Sequence, residues 1–270
     1  GADTITQIEQ ATMTGTPGND MIDTTLFSGS VTLDAGAGND NVATGSGADT
    51  IESGAGDDTV IAGAGNDVLI GGAGVDVLSG GDDDDTLTGG AGADTLNGGA
   101  GVDALDGGSE SDALDGGTGA DSLIGGTGSD TVSYASRSAN ITVTIGAGAN
   151  DGEASEGDNI GTAFVVADGG SGADTFSGSS NSNTFRGNGG NDTFDEGGAK
   201  NGADTLSGGA GTDTLNYSGR SGSLTITSGS GANDGETGET DNISDDFEIY
   251  MGSPQADTIT GSVTPITVHG

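Results

Sequence analysis

Through the first half of the chain one aliphatic residue recurs at every ninth position: Val42, Ile51, Val60, Leu69, Leu78, Leu87, Leu96, Leu105, Leu114, Leu123 and Val132. Two residues before each stands an aspartate: Asp40, Asp49, Asp58, Asp67, Asp76, Asp85, Asp94, Asp103, Asp112, Asp121 and Asp130. Eleven nine-residue units thus run without a gap from Ala35 to Ser133. No helix has that period. A unit such as Gly89-Gly90-Ala91-Gly92-Ala93-Asp94-Thr95-Leu96-Asn97 divides into six turn-forming residues and a three-residue strand with an apolar middle. Glycine at positions one, two and four lets the chain reverse tightly beside a ligand.

This pattern, GGxGxDxUx with U aliphatic, resembles the nonapeptide of the RTX (repeats-in-toxin) family. The resemblance implies an all-β fold, a right-handed parallel β-roll (a β-solenoid) in which two units make one coil of about eighteen residues and like units stack. It also implies Ca2+ between turns stacked on the same edge, held by position-six carboxylates and backbone carbonyls. On that reading Asp40, Asp58, Asp76, Asp94, Asp112 and Asp130 line one edge, and Asp49, Asp67, Asp85, Asp103 and Asp121 the other. Asp20, Asp174, Asp192, Asp204, Asp213 and Asp257, in less regular units, are further expected ligands.

Charge gives an independent reason to expect a cation. The chain carries 43 acidic residues and four basic ones, Arg137, Arg186, Lys200 and Arg220, for a formal charge of −39. Such a chain repels itself, and nucleic acid and anionic membrane are excluded as partners. Oxygen-only ligation in a flexible site suits calcium better than magnesium. With no Cys and only His269, softer metals lack ligands. Aspartate is common in turns, but turn chemistry alone does not demand one identical acid at eleven successive registers. Two units depart from the pattern: Asp83 and Glu110 replace the fourth-position glycine, and full occupancy is not expected at either.

Beyond Ser133 a longer repeat appears, 83 residues apart. Asp130-Thr131-Val132-Ser133-Tyr134 recurs as Asp213-Thr214-Leu215-Asn216-Tyr217, Arg137 matches Arg220, and Ala149-Asn150-Asp151-Gly152-Glu153 matches Ala232-Asn233-Asp234-Gly235-Glu236. Each copy holds an alternating strand (Ile141 to Ile145, Leu224 to Ile226), an acidic loop, and an apolar run that re-enters the nonapeptide frame; of the two readings of the loop, a further calcium site without the EF-hand pattern and a solvated hairpin tip, the tip is preferred. The arginines are expected to pair with neighbouring acids. Phe176, Phe185 and Phe194 replace the aliphatic residue between the copies, implying a wider core, while Asn183 and the extra Lys200-Asn201 imply fewer good cation sites. The expected organisation is a partial unit over 1–34, the regular roll over 35–133, an inserted unit over 134–168, degenerate repeats over 169–216, a second insert over 217–251 and a terminal repeat with a strand over 252–270.

The amino end, from Asp3 to Ile8, resembles the rear half of the duplicated insert, and Thr264 to Val268 resembles its front strand. A trimmed chain explains this, and so does head-to-tail self-assembly in which one chain completes the next. No enzyme is visible: the single His is next to last, and zinc-protease, phosphate-loop and cysteine-nucleophile motifs are missing. No apolar run is long enough to span a bilayer, and no signal peptide is read at Gly1. By resemblance, export is bacterial, through a type I channel, with folding on calcium outside the cell. Two roles remain: an extracellular structural protein of a surface layer, fibre or adhesin, and the calcium-folded RTX module of a larger exoenzyme or toxin.

Overall fold

The computed structural model describes residues 10–146, 148, 150–197, 202–261 and 267–269. The expectations for Asp3 to Ile8, Lys200-Asn201 and Thr264 to Ile266 lie outside them. Among the described residues the regular structure is entirely β, and no helix is long and apolar enough to cross a membrane. The chain forms two compact units, Gly1–Asp130 and Thr131–Gly270, each a parallel β-solenoid.

In the first unit the strands are β1 (Gln10–Thr14), β2 (Met21–Asp23), β3 (Ser30–Asp34), β4 (Asn41–Ala43), β5 (Thr50–Ala55), β6 (Thr59–Ala64), β7 (Val68–Ala73), β8 (Val77–Asp82), β9 (Thr86–Ala91), β10 (Thr95–Ala100), β11 (Ala104–Ser109), β12 (Ala113–Thr118) and β13 (Ser122–Thr127). Odd-numbered strands pair only with odd, and even with even, giving two parallel sheets joined by turns. The register repeats the sequence period. Ile51 pairs with Leu69, Leu69 with Leu87, Leu87 with Leu105 and Leu105 with Leu123, while Val42, Val60, Leu78, Leu96 and Leu114 do the same in the other sheet. The first coil is longer, pairing Ala11 with Val31 and Ile22 with Val42. Position-eight side chains fill the space between the sheets, each at most 1 % exposed from Val42 to Leu123. Two residues per coil from each sheet make that core narrow, so the ladder hydrogen bonds carry much of the order.

The strands are longer than the sequence led us to expect. From β5 onward each spans six residues, from position seven through position three of the next unit, leaving only three turn positions. The ladder runs straight through the glycines, Gly54 opposite Gly72 and Gly72 opposite Gly90. Glycine's weak strand propensity hides this in the sequence. The three glycines also do different work. Position-one Gly71 faces inward, where a Cβ would lie 2.5 Å from the Asp76 carboxylate, whereas position-four Gly74 sits at φ 139°, where a Cβ would overlap the carbonyl oxygen of Gly56.

In the second unit one sheet carries the column Val143, Phe176, Phe194, Leu215, Tyr250 and Val268, and another Ala167, Phe185, Leu206 and Ile243. The phenylalanines stack, with ring centroids 5.0 Å apart for Phe176 and Phe194 and 5.4 Å for Phe176 and Phe185, and Phe247 closes edge-on at 5.1 Å from Phe194. Phe176, Phe185 and Phe194, at the position-eight register, are each at most 1 % exposed and fill this core with stacked rings. Each insert contributes a short antiparallel hairpin, Ile141–Thr144 with Gly152–Glu153 and Leu224–Thr227 with Gly235–Glu236.

Candidate metal-binding site

The turn between strands places the position-six aspartates one above another. The backbone N–H of each donates to Oδ1 of the aspartate one coil on: Asp40 to Asp58, Asp58 to Asp76, Asp76 to Asp94, Asp94 to Asp112 and Asp112 to Asp130, at 2.8 to 3.0 Å. The opposite edge repeats the bond from Asp49 to Asp67, Asp85, Asp103 and Asp121, at 2.7 to 2.9 Å. Two rails of carboxylates therefore run along the unit. Every member from Asp40 to Asp130 is at most 3 % exposed.

One oxygen of each carboxylate thus satisfies a backbone donor, and the other is left over. Oδ2 of Asp40, Asp49, Asp58, Asp67, Asp76, Asp85, Asp94, Asp103, Asp112 and Asp130 is buried with no hydrogen-bond donor. A buried anionic oxygen without a partner is costly, and a regular series of them is an environment that positive charge would relieve. Burial pushes Asp67, Asp76, Asp103 and Asp112 up to about 6, and Asp85 up to about 7, opposed by the backbone N–H bonds and reinforced by neighbouring carboxylates. Asp58 and Asp94 are raised for the same reason.

Among the described residues no group of three or more acidic or histidine side chains is placed to hold a metal ion by itself. Carboxylates here come from successive coils, and backbone carbonyls lie beside them: a Cβ placed on Gly71 would sit 2.5 Å from Asp76 Oδ2 and 2.7 Å from the Gly89 carbonyl oxygen. An all-oxygen set of carboxylates and carbonyls fits a hard cation of calcium's kind.

Position five adds an interrupted series of similar contacts, which the repeat pattern did not predict. Its side chains accept from the N–H one coil on: Asn19 from Asn39, Asn39 from Asp57, Asp57 from Val75, Asp84 from Val102 and Ser111 from Ser129, at 2.8 to 3.2 Å. The clue was the frequency of Asn, Asp and Ser just before the invariant aspartate. The departing residues Asp83 and Glu110 adopt φ of 75° and 76°, so both turns keep the left-handed bend without glycine.

In the second unit the rails continue with interruptions. Asp174 N–H donates to Asp192, Asp192 to Asp213, and Asp213 to Glu248, at 2.8 to 2.9 Å. Glu248 takes the aspartate's place two residues before buried Tyr250, a spacing the sequence displays but with the longer acid. Asn183 N–H donates to Asp204, and Asp204 to Asp241. Oδ2 of Asp192, Asp204 and Asp213 is buried without a donor. Burial pushes Asp192 up to about 7. At Asp174 both oxygens accept backbone N–H groups, from Ile141 and Gly170, and at Asp20 both are engaged by Thr16. Asp257 accepts from Leu224 N–H and the Ser253 hydroxyl.

The acidic loops differ from the solvated tips expected of them. Asp151, Asp158, Asp234 and Asp241 are at most 1 % exposed, because the loops fold back and turn their acids onto the unit. Asp151 accepts from Thr144 N–H and Asp234 from Thr227 N–H, while the hydroxyls of Tyr134 and Tyr217 donate to Asp158 and Asp241 at 2.8 and 2.7 Å. The arginines pair with acids: Arg137 with Glu156 at 3.4 Å and Arg220 with Glu239 at 2.8 Å. These contacts recur at the 83-residue interval of the sequence.

A family model described as RTX calcium-binding nonapeptide repeat matches the chain in overlapping stretches from 28–51 to 106–136, and again over 168–198 and 199–219. The matches cover more than half of the chain, which belongs to this family of calcium-binding repeat proteins. No curated protein matches it.

Proposed function

We propose that the chain is a secreted structural protein whose β-solenoid is completed by calcium outside the cell and serves in a surface layer, an extracellular fibre or an adhesin. The observation that carries this reading is the series of buried Oδ2 atoms along both rails. Successive carboxylates sit about one strand spacing apart, roughly 4.8 Å. Residues 1–130 hold 24 of the 43 acids and none of the four basic residues, so no side chain there can neutralise them. Divalent ions between coils would relieve the repulsion and the unsatisfied oxygens together. The holding residues would be Asp40 to Asp130 at position six, with Asp192 and Asp213 in the second unit. Asp20 and Asp174 would contribute less, since protein donors already engage both of their oxygens.

The rigid, ion-filled roll is itself the useful product on this reading, and head-to-tail association through terminal strands would extend it. Sedimentation and electron microscopy of the chain with and without calcium test the role. Ordered polymers that appear only with calcium are expected. A monodisperse monomer would instead favour a calcium-folded module serving a larger exoenzyme or toxin.

A further inference from the structure

Arg220 is buried to 1 % exposure, a position that arginine rarely takes unless it is paired. It packs 5.4 Å from the Tyr217 ring centroid, 2.8 Å from Glu239 and 3.8 Å from Glu196. Tyr217 in turn donates to Asp241, which also accepts the N–H of Asp204. One permanent cation therefore pairs with Glu196 and Glu239 and acts electrostatically on Asp204 and Asp241, all four acids being buried.

The rail at this point differs from those of the first unit in two respects. Before Asp204 stands Asn183, whose amide has no charge and whose Oδ1 accepts its own turn's Ser179 N–H at 2.9 Å. After it stands Asp241, whose Oδ1 and Oδ2 both hold protein donors. An ion bridging Asp204 to a neighbouring coil would find no charged, uncommitted carboxylate on either side. Positive charge is supplied from the protein instead. In the first copy of the insert Arg137 meets Glu156, but the residue 83 before Glu196 is Ala113, so the larger cluster belongs to the second copy alone.

We propose that Arg220 is a tethered counter-ion that takes the place of a divalent metal at Asp204, so that this position-six aspartate does not load calcium. The inference rests on the calcium reading of the other rail residues. It separates Asp204 from its sequence-equivalents by chemistry: the guanidinium is permanently charged and its planar donors suit carboxylates. Unlike an ion, it cannot be removed by a chelator.

The test counts bound calcium on the full chain by equilibrium dialysis, comparing wild type, Asp204→Asn and Asp85→Asn. The natural Asn183 shows that the rail accepts an amide. Asp204→Asn is expected to bind as many ions as wild type, while Asp85→Asn binds at least one fewer. A second arm follows the near-ultraviolet tyrosine signal, since Tyr134, Tyr217 and Tyr250 all lie in the second unit and the chain has no Trp. Arg220→Gln is expected to raise the calcium midpoint of that signal about tenfold or more, and Arg220→Lys to raise it less. Should Arg220→Gln fail to fold, Arg220→Gln with Glu239→Gln restores the charge balance and is expected to fold with the wild-type ion count. Loss of an ion in Asp204→Asn, or an unmoved tyrosine midpoint in Arg220→Gln, overturns the proposal. A wild-type chain that binds no calcium would instead overturn the calcium reading beneath it.

Discussion

Replacing Asp76 by Asn separates the two things its carboxylate does. Oδ1 accepts the Asp58 N–H at 2.9 Å, a bond that an amide oxygen retains, whereas Oδ2 is buried, anionic and without a donor. Without metal the charge is a liability: burial, and then Asp94, Asp58 and Asp57, push Asp76 up to about 6. Removing it at pH 7.5 should stabilise the metal-free first unit by about 1 kcal/mol after allowance for solvent screening, a rise in melting temperature of roughly 3 to 6 °C. With calcium the sign reverses. If the lost site was held at a hundredfold above its Kd, the variant forfeits about 2.7 kcal/mol of binding linkage, leaving a net loss of roughly 2 kcal/mol and a melting temperature lower by about 5 to 10 °C. Thermal denaturation by circular dichroism, in chelator and in millimolar calcium, reads both values. A shift of the same sign in the two buffers would refute the assignment of Oδ2 as a ligand atom.

Other consequences can be checked independently. In chelator, acid should stabilise the roll: the folded-state values of Asp67, Asp76, Asp103 and Asp112 (about 6) and Asp85 (about 7) exceed the ordinary 3.8, so the folded chain binds more protons between those limits. Stability without metal is then greatest below about pH 4 and declines as pH rises to about 7, whereas in calcium it should rise over that window; denaturant melts at several pH values show whether the curves have opposite slopes. Gly92→Ala should cost about 2 kcal/mol or more in the same assay, since φ is 133° and a Cβ would overlap the Gly74 carbonyl, while Asp83→Gly should be neutral or stabilising by about 1 kcal/mol. Phe194→Ala should cost about 3 to 5 kcal/mol, because the ring lies against both Phe176 and Phe247, and the loss should appear in the near-ultraviolet signal of the second unit.

The stacking of the aspartates was legible because the nine-residue period, taken with the two units per coil that the family resemblance implies, fixes which residues meet. Asp58 and Asp76 meet for the same reason that Val60 pairs with Leu78. Strand length was not legible, since glycine-rich segments read as turns although ladder bonds hold Gly54 opposite Gly72. The position-five contacts escaped notice because Asn39, Asp57, Asp84 and Ser111 are interspersed there with Ala and Val, so no single residue type repeats. In the inserts the pairing of Arg220 with an acid was foreseeable from charge, but the inward turn of Asp234 and Asp241 was not: it depends on a hairpin folding back onto Thr227 and Tyr217, contacts that no local periodicity encodes.

The most direct measurement is a calcium titration of the chain, after exhaustive chelation at neutral pH, followed by far-ultraviolet circular dichroism. A strand spectrum that develops cooperatively with added calcium and is lost again on chelation is the predicted result. An unchanged spectrum across the titration would contradict the claim that metal completes this fold.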